Sequence, residues 1–364
     1  MAAFSFYNVV VPLQTSKISA EKFKALISTV LKFPPSAVVS ASEVIHFAVN
    51  MGRARVSVAG LVTGAAAVLA TGETDAFTVD YRVLGSYAAL CPVDGTVQLE
   101  VSRKEKEVRF TCGEHKLKVA FNFGSVIKKP QPGPTEILVV SDHFAKTIKW
   151  LASVAEKDEA KPDMCCVYLR NGSAMAGNQK CIAVATLDGI ADVECALPLN
   201  LCAVLEAGDK ITKAVDGFIV VSGCGAFAVP FHAASIKFPY QVVERLTSSD
   251  SHVFATCAAS ALSGALKESI DCVARVPKAD AVVRADFADG KMSIRAMTGT
   301  AHYSTMVDAD VKKTGGILVP LVEAGAAVSV FDGSEVAIKH VLPKRETSID
   351  GGTAKVFFAP VAKK

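Results

Sequence analysis

The stretch Phe77-Thr-Val-Asp-Tyr-Arg-Val-Leu-Gly-Ser-Tyr-Ala-Ala-Leu-Cys-Pro-Val-Asp-Gly-Thr-Val-Gln-Leu-Glu-Val101 decides the architecture, because its pattern occurs three times. It reads as a short apolar helix, a Gly/Asp turn and an alternating strand. Ala196–Asp209, leading into Asp216-Gly-Phe-Ile-Val-Val221, has the same pattern, and so has Ile317–Lys339. The spacing between copies is about 120 residues, a period that marks a repeated structural unit. A second helix precedes each one, over Ser19–Lys32, Ser141–Lys157 and Ala258–Val273. Its apolar face is Phe23, Leu26, Ile27, Val30 and Leu31 in the first copy. Phe144, Ile148, Leu151 and Ala155 form it in the second, and Leu262, Leu266, Ser269 and Ile270 in the third. Ser19 and Ser141 stand where a side-chain oxygen satisfies free N–H groups of the first turn.

Strand-like runs fill the intervals. Ala37–Val49, Arg53–Val62 and Ala65–Thr71 lie in the first copy, and Met164–Leu169 and Cys181–Thr186 in the second. Ala281–Ala288, Lys291–Met297 and His302–Val307 lie in the third. The turns Asn50–Gly52, Asn171–Gly172 and Asp289–Gly290 join them through residues that tolerate positive φ. More strands follow each second helix: Val97–Val101, Val108–Thr111 and Leu117–Phe121, then Phe218–Val221 and Ala226–Phe231, then Val336–Val341 and Lys355–Phe358. Boundaries are expected at Lys128-Lys-Pro-Gln-Pro-Gly-Pro134, which cannot continue a sheet ladder, and between Phe238-Pro-Tyr240 and Asp250. The expected domains are 1–132, 133–244 and 245–364. The expected class is α+β, each domain carrying two helices on an antiparallel sheet.

Composition bounds the function. The 364 residues are 51% hydrophobic and 21% charged, which excludes wholesale disorder. Lys plus Arg is 39 against 36 for Asp plus Glu, a formal +3 that argues against a histone-like basic protein. It leaves room for a nucleic-acid binder whose charge is gathered on one face. No run of ~18 apolar residues occurs, so no membrane span is expected. The N-terminus lacks the basic region of a signal peptide, so a cytoplasmic location is expected. The ten cysteines form no CxxC pair, and Cys112 and His115 lack a second ligand pair, so no metal site is expected. Thiols among Val, Ala and Leu are expected to be buried. Cys165-Cys166 lies in a strand-like run, His143 lies near a helix start, and Ser222–Gly225 lacks the Lys of a phosphate-binding loop. Nothing assembles a base, a nucleophile and an oxyanion site, so the chain is expected to be no enzyme and to need no cofactor.

Opposite the apolar stripes lie lysines. They are Lys22 and Lys32 with Lys24 at the flank, then Lys146, Lys149 and Lys157 alongside Trp150, and in the third copy Lys267 within the mixed set Ser260, Ser263, Gly264, Glu268 and Asp271. A solvated face fits this spacing, and so does a face that follows a phosphate backbone by diffuse attraction. The threefold order and several strings resemble the bacterial-type DNA sliding clamp family, the beta subunit of the replicative DNA polymerase III. Those strings are Val184-Ala-Thr-Leu-Asp-Gly189, Lys237-Phe-Pro-Tyr240, Val319-Pro-Leu-Val322, Asp286-Phe-Ala-Asp-Gly-Lys-Met-Ser-Ile-Arg295 and the weaker Phe357-Phe-Ala-Pro-Val361.

The resemblance implies a head-to-tail homodimeric ring of clamp domains around double-stranded DNA, held without sequence preference. Lys22, Lys24, Lys32, Lys146, Lys149, Lys157 and Lys267 would face that DNA. It also implies a groove for short apolar peptides of the polymerase and the clamp loader, at Thr186, Gly189, Ile190, Pro239, Val243, Ala359 and Pro360. The chain departs from the family there. Leu187 is inserted, Ile190-Ala191 replaces a basic pair, and the tail ends Ala-Lys-Lys. A phage or otherwise divergent clamp fits. The alternative is a β-rich interaction or structural protein with the same repeat and no DNA role.

Overall fold

Turn chemistry sets the strand order. A computed structural model describes residues 14–32, 44–58, 63–124, 136–158, 160–214, 217–223, 225–230, 237–274, 281–298, 301–331, 335–341 and 346–360. Three two-residue hairpins recur: Met51-Gly52 (φ 48° and 71°), Asn171-Gly172 (50° and 76°) and Asp289-Gly290 (50° and 72°). Positive φ at both positions matches the twist of the flanking strands.

The first copy runs β1 (Gln14–Ser19), α1 (Ala20–Leu31), β2 (Val44–Asn50), β3 (Arg53–Val58), β4 (Thr63–Leu69), β5 (Thr71–Gly72), β6 (Thr74–Asp80), α2 (Tyr81–Leu90), β7 (Thr96–Ser102), β8 (Glu107–Cys112), β9 (His115–Ala120) and β10 (Asn122–Phe123). The second runs β11 (Glu136–Val139), α3 (Asp142–Val154), β12 (Cys166–Arg170), β13 (Ser173–Gly177), β14 (Cys181–Thr186), β15 (Cys195–Pro198), α4 (Leu199–Val204), β16 (Lys210–Ala214), β17 (Gly217–Ser222) and β18 (Gly225–Pro230). The third begins with α5 (Tyr240–Ser248) and β19 (Ser251–Ala258). It continues through α6 (Ala259–Ser269), β20 (Val282–Ala288), β21 (Lys291–Met297), β22 (His302–Asp308), β23 (Asp310–Val311), β24 (Gly315–Pro320), α7 (Leu321–Val328), β25 (Glu335–Val341), β26 (Glu346–Asp350) and β27 (Ala354–Phe358).

Both expected helices of every copy are present, and the two serine caps form. Ser19 Oγ accepts the Lys22 N–H at 3.4 Å and Ser141 Oγ the Phe144 N–H at 3.0 Å. Within the expected boundary stretch from Tyr240 towards Asp250 stands α5, which buries Val243 and Leu246 one turn apart. Two expectations need correction. Helix α3 stops at Val154 rather than Lys157. Asn178 Nδ2 takes the Val154 carbonyl at 3.0 Å, and Glu156 N–H turns away to bond Gly177. Trp150 does not point outward with the lysines: it is 7% exposed. The boundary at 128–134, with residues 37–43, 59–62, Cys224 and Val361, lies outside the described residues.

The chain divides into two compact units, Met1–Val140 with Gly208–His232 and Ser141–Ala207 with Ala233–Lys364. The first contains a five-stranded sheet, β5-β1-β7-β8-β9, and a nine-stranded one, β10-β6-β2-β3-β4-β18-β17-β16-β11. Its core is aromatic. Phe23 of α1 lies 6.0 Å from Phe110, Phe47 stacks on Phe77 at 5.4 Å, and Tyr87 of α2 closes on Phe110 at 5.9 Å. Each fully buried Phe contributes about 1.5–3 kcal/mol. The β4–β18 join brings backbone onto a ring: a Cβ at Gly64 would stand 2.2 Å from Phe227 Cδ1, so only glycine fits there.

The second unit contains the nine-stranded sheet β15-β12-β13-β14-β27-β26-β25-β19-β23 and the four-stranded β22-β21-β20-β24. Here α3 packs on α7. Trp150 Nε1 donates to the carbonyls of Ala326 (3.3 Å) and Ala327 (3.2 Å), and Lys180 pairs with Glu323 at 3.1 Å. Helix ends leave carbonyls unbonded, so the indole serves as their donor.

Replacing Trp150 with Phe keeps the apolar bulk and strands those two carbonyls. We expect a loss of about 1–3 kcal/mol of stability, read as a lower urea midpoint, whereas Lys180→Ala on the exposed pair changes it by less than about 1 kcal/mol.

Candidate functional site

The lysines divide by what holds them. Lys32, at the end of α1, donates Nζ to Ser222 Oγ at 3.1 Å. Lys146 pairs with Asp142 at 2.8 Å, one helical turn away. Lys157 lies past α3 and donates to the Ala152 carbonyl. Lys24 is half-buried on α1. Lys22, Lys149 and Lys267 are exposed on α1, α3 and α6, and among the described residues their ammonium groups have no ion-pair or hydrogen-bond partner.

The expected groove residues all lie in the second unit. Thr186 ends β14, where its N–H bonds Thr353, and Ala359 N–H bonds the Lys180 carbonyl at the other end of the same ladder. At 3.4 Å per residue those two ends are about 20 Å apart. Gly189 turns with φ +79°, exposed, and Pro360 is exposed beside Ala359. Ile190 and Val243 are in the core at 1% and 3% exposure, and the inserted Leu187 is buried with them. Leu246 of α5 packs on Val341 and Phe357, with Ile182 and Val184 alongside, and this seats α5 on the join of β14 and β27.

Pro239 opens onto a cavity of about 430 Å³ lined by Tyr168, Lys237, Phe238, Pro239, Tyr240, Gln241 and Val242. One wall is an aromatic ladder. The Tyr168 ring stacks on Phe238 at 5.4 Å with planes 11° apart, and on Tyr240 at 6.5 Å and 15°. The Arg170 guanidinium lies over the Tyr240 ring, 3.8 Å from its centre. Tyr168 OH donates to Glu194 Oε1 at 2.7 Å, and Arg170 pairs with the same oxygen at 3.4 Å. Burial, then the Glu194 carboxylate, holds the Tyr168 phenol above its ordinary value. Flat apolar walls rimmed by the exposed Lys237 suit an apolar side chain with polar groups on either side. The sequence reading included Pro239 and missed Tyr168, Arg170, Phe238 and Tyr240. The pair of aromatics flanking Pro239 was the available signal.

Six of the described thiols, Cys91, Cys112, Cys166, Cys181, Cys202 and Cys257, are buried as expected, while Cys165 and Cys195 are half-buried, and burial makes the inner ones inert. Burial pushes Cys166 and Cys181 up to about 12 and Cys257 to about 11. Cys272 is exposed. Among the described residues, no three His, Cys, Asp or Glu side chains gather closely enough to hold a metal ion. Among them too, no helix is long and apolar enough to cross a membrane.

No family model and no curated protein matches the sequence. Solved structures match the fold. The DNA polymerase sliding clamp of Bacillus subtilis is 13% identical with a TM-score of 0.77, over 97% of this chain and 100% of that one. The DNA polymerase III beta subunit of Thermotoga maritima is 13% identical at 0.79, over 96% and 100%. The fold is that of the bacterial sliding clamps. A third neighbour, the Helicobacter pylori beta clamp, is 12% identical at 0.70 over 96% and 100%, and was solved bound to a DNA ligase peptide.

Because reactivity follows the thiolate, brief alkylation of the native chain at pH 8 is expected to label Cys272 and leave Cys166 and Cys181 unlabelled until urea is added. Peptide mass spectrometry reads this directly, and early labelling of Cys166 would contradict the buried placement.

Proposed function

We propose that this chain is a DNA sliding clamp, a non-catalytic processivity factor that encircles duplex DNA and tethers a replicative polymerase in the cytoplasm. The supporting observation is full-length agreement with clamp folds. In this reading the three domains are 1–132, 133–244 and 245–364. Two chains join head to tail, and six repeats surround the duplex. The first helix of each repeat turns its lysines to the phosphates.

The charge pattern suits such a task. A topological link needs no tight site, so contacts can be few and diffuse, and strong ones would impede sliding. A formal charge of +3 over 364 residues leaves the outer surface nearly neutral while the bore is positive. The cavity at Pro239 takes short apolar peptides of the polymerase and the clamp loader; of the other expected groove residues Thr186, Gly189, Ala359 and Pro360 are exposed, whereas Ile190 and Val243 lie in the core and shape the groove only from beneath. The peptide-bound Helicobacter pylori neighbour supports this second role.

Charge reversal at Lys22, Lys149 and Lys267 together is expected to shorten retention on nicked circular DNA at least ~10-fold at 0.15 M salt, the size expected from removing several phosphate contacts. Linearising the DNA should release the unaltered protein, because only a ring slides off an end. Equal retention on circles and linear fragments would sink the reading. Independently, Tyr168→Ala with Tyr240→Ala removes the aromatic wall. We expect peptide affinity to fall by about 2 kcal/mol, near 30-fold, in fluorescence anisotropy, with DNA retention unchanged.

A further inference from the structure

We propose that the groove selects peptide segments carrying an apolar residue and, about four positions from it, an Asp or Glu whose carboxylate reaches Lys355. This rests on the groove reading above and names the chemistry of its partner. The register of the nine-stranded sheet in the second unit places the two ends of such a segment. Tyr168 stands opposite Met175, Met175 opposite Val184, Val184 opposite Lys355, and Lys355 opposite Asp350. Directly opposed residues of antiparallel neighbours point to one face. These residues therefore form a single row across β12, β13, β14, β27 and β26. The next row on that face is Gly177, Ile182, Phe357, Ser348 and Lys339.

The floor between the ends is apolar. Ile182 and Val184 are half-buried beside Leu246, Val341 and Phe357, and the buried Met175 separates Val184 from Tyr168. Tyr168 lines the cavity at Pro239, which receives the apolar residue. Three strand spacings of about 4.8 Å separate Tyr168 from Lys355. That is about 14 Å, the reach of about four extended residues.

Charge at the far end is unbalanced. Lys339 and Lys355 both bond one oxygen of Asp350, Oδ2, at 2.8 and 3.2 Å, while Oδ1 accepts the Gly352 N–H at 3.0 Å. Two ammonium groups thus share one carboxylate, and each has three donors. Burial works to raise the Asp350 carboxyl. The Lys339 hydrogen bond, the Gly352 N–H and the two positive charges outweigh it and hold the group below its ordinary value. Asp350 stays ionised, and one positive charge is in excess. Lys355 is the more open of the pair, its side chain 39% exposed against 23% for Lys339. Elsewhere on this face the cations are matched: Arg170 pairs with Glu194 and Arg245 with Glu346. Lys237, at the cavity rim, has Asp163 beside it, whose Oδ1 accepts the Lys237 N–H at 2.8 Å. A carboxylate brought to Lys355 meets a donor with spare capacity beside Val184, where an ion pair is screened less than on open surface.

Selection of a phage-displayed library of random dodecapeptides on the full chain tests this. Enriched peptides should share an apolar residue with Asp or Glu about four positions to one side. As a labelled synthetic peptide, the leading sequence should bind about five-fold more tightly than its counterpart with the acid changed to the amide, in fluorescence anisotropy at low salt. Lys355→Gln, which leaves Asp350 paired with Lys339, should erase that difference, and an unchanged urea midpoint shows that the fold is kept. On the unaltered chain, about 1 M salt should cut the difference below about two-fold. Tyr168→Ala with Tyr240→Ala should weaken both peptides alike. Peptides that need the aromatic pair but bind equally as acid and amide overturn this inference and leave the groove reading standing. So does a preference for the acid that survives Lys355→Gln or high salt. A library that enriches nothing, or peptides indifferent to the aromatic pair, overturns both.

Discussion

An antiparallel strand at the edge of a sheet must find a partner for its backbone, and most of this molecule is arranged around that need. Two of the four sheets run across copies of the repeat. The last strand of the second copy is completed by a strand of the first, Gly225 to Ala228 on Ala66 to Thr63, and the last strand of the third by one of the second, Phe358 to Ala354 on Cys181 to Ala185. The contact-defined units follow these ladders rather than the sequence repeat. Strands β11 and β16–β18 belong with the first unit because β18 is bonded to β4, while α3 and α4 stay with the second. Side chains are chosen to let the backbones meet. Gly64 leaves room for Phe227, and Ala65, Ala66 and Ala226 add little bulk beside it.

The helices inherit their roles from that arrangement. With one face committed to the sheets through Phe23, Ile27, Phe144, Ile148, Leu262 and Leu266, the opposite face is free to carry charge. Much of that charge is tied locally. Lys146 to Asp142 and Lys32 to Ser222 hold their ammonium groups close to the surface. Contacts of this kind cost little to break and re-form, as the sliding contact proposed above would require.

The repeat was legible because its signals are local. Apolar spacing of 3.6 located α1, α3 and α6, and Gly following Asn or Asp located two of the hairpins. What was hidden depends on partners distant in sequence. Trp150 sits among lysines on a helical wheel and is buried only because the end of α7 lies over it, 176 residues away. Helix α5 is short and opens on Pro239, and its buried apolar residues are Val243 and Leu246, with Val242 exposed, so its periodicity is too brief to read. The aromatic wall needs Tyr168 and Tyr240, which lie 72 positions apart in the sequence and meet only when β12 and α5 are in place. Ile190 looked like a surface substitute for a basic residue and belongs instead to the core.

The two joins inside the chain differ in chemistry from open sheet edges such as β22 and β9, and the difference has a physical cause. Internal joins form between segments tethered on one chain, at high effective concentration. They can therefore be built from small and apolar residues such as Ala65, Ala66, Ala183 and Val356 that would aggregate if left in water. An edge destined for a second copy must first exist as free surface. On β22 and β9 most solvent-facing positions are polar or charged, His302, Ser304, Asp308, His115, Lys116 and Lys118 beside the exposed Met306 and Ala120, and charged edges resist unplanned pairing. The half-buried Tyr303, Thr305, Leu117 and Val119 are kept to the other face.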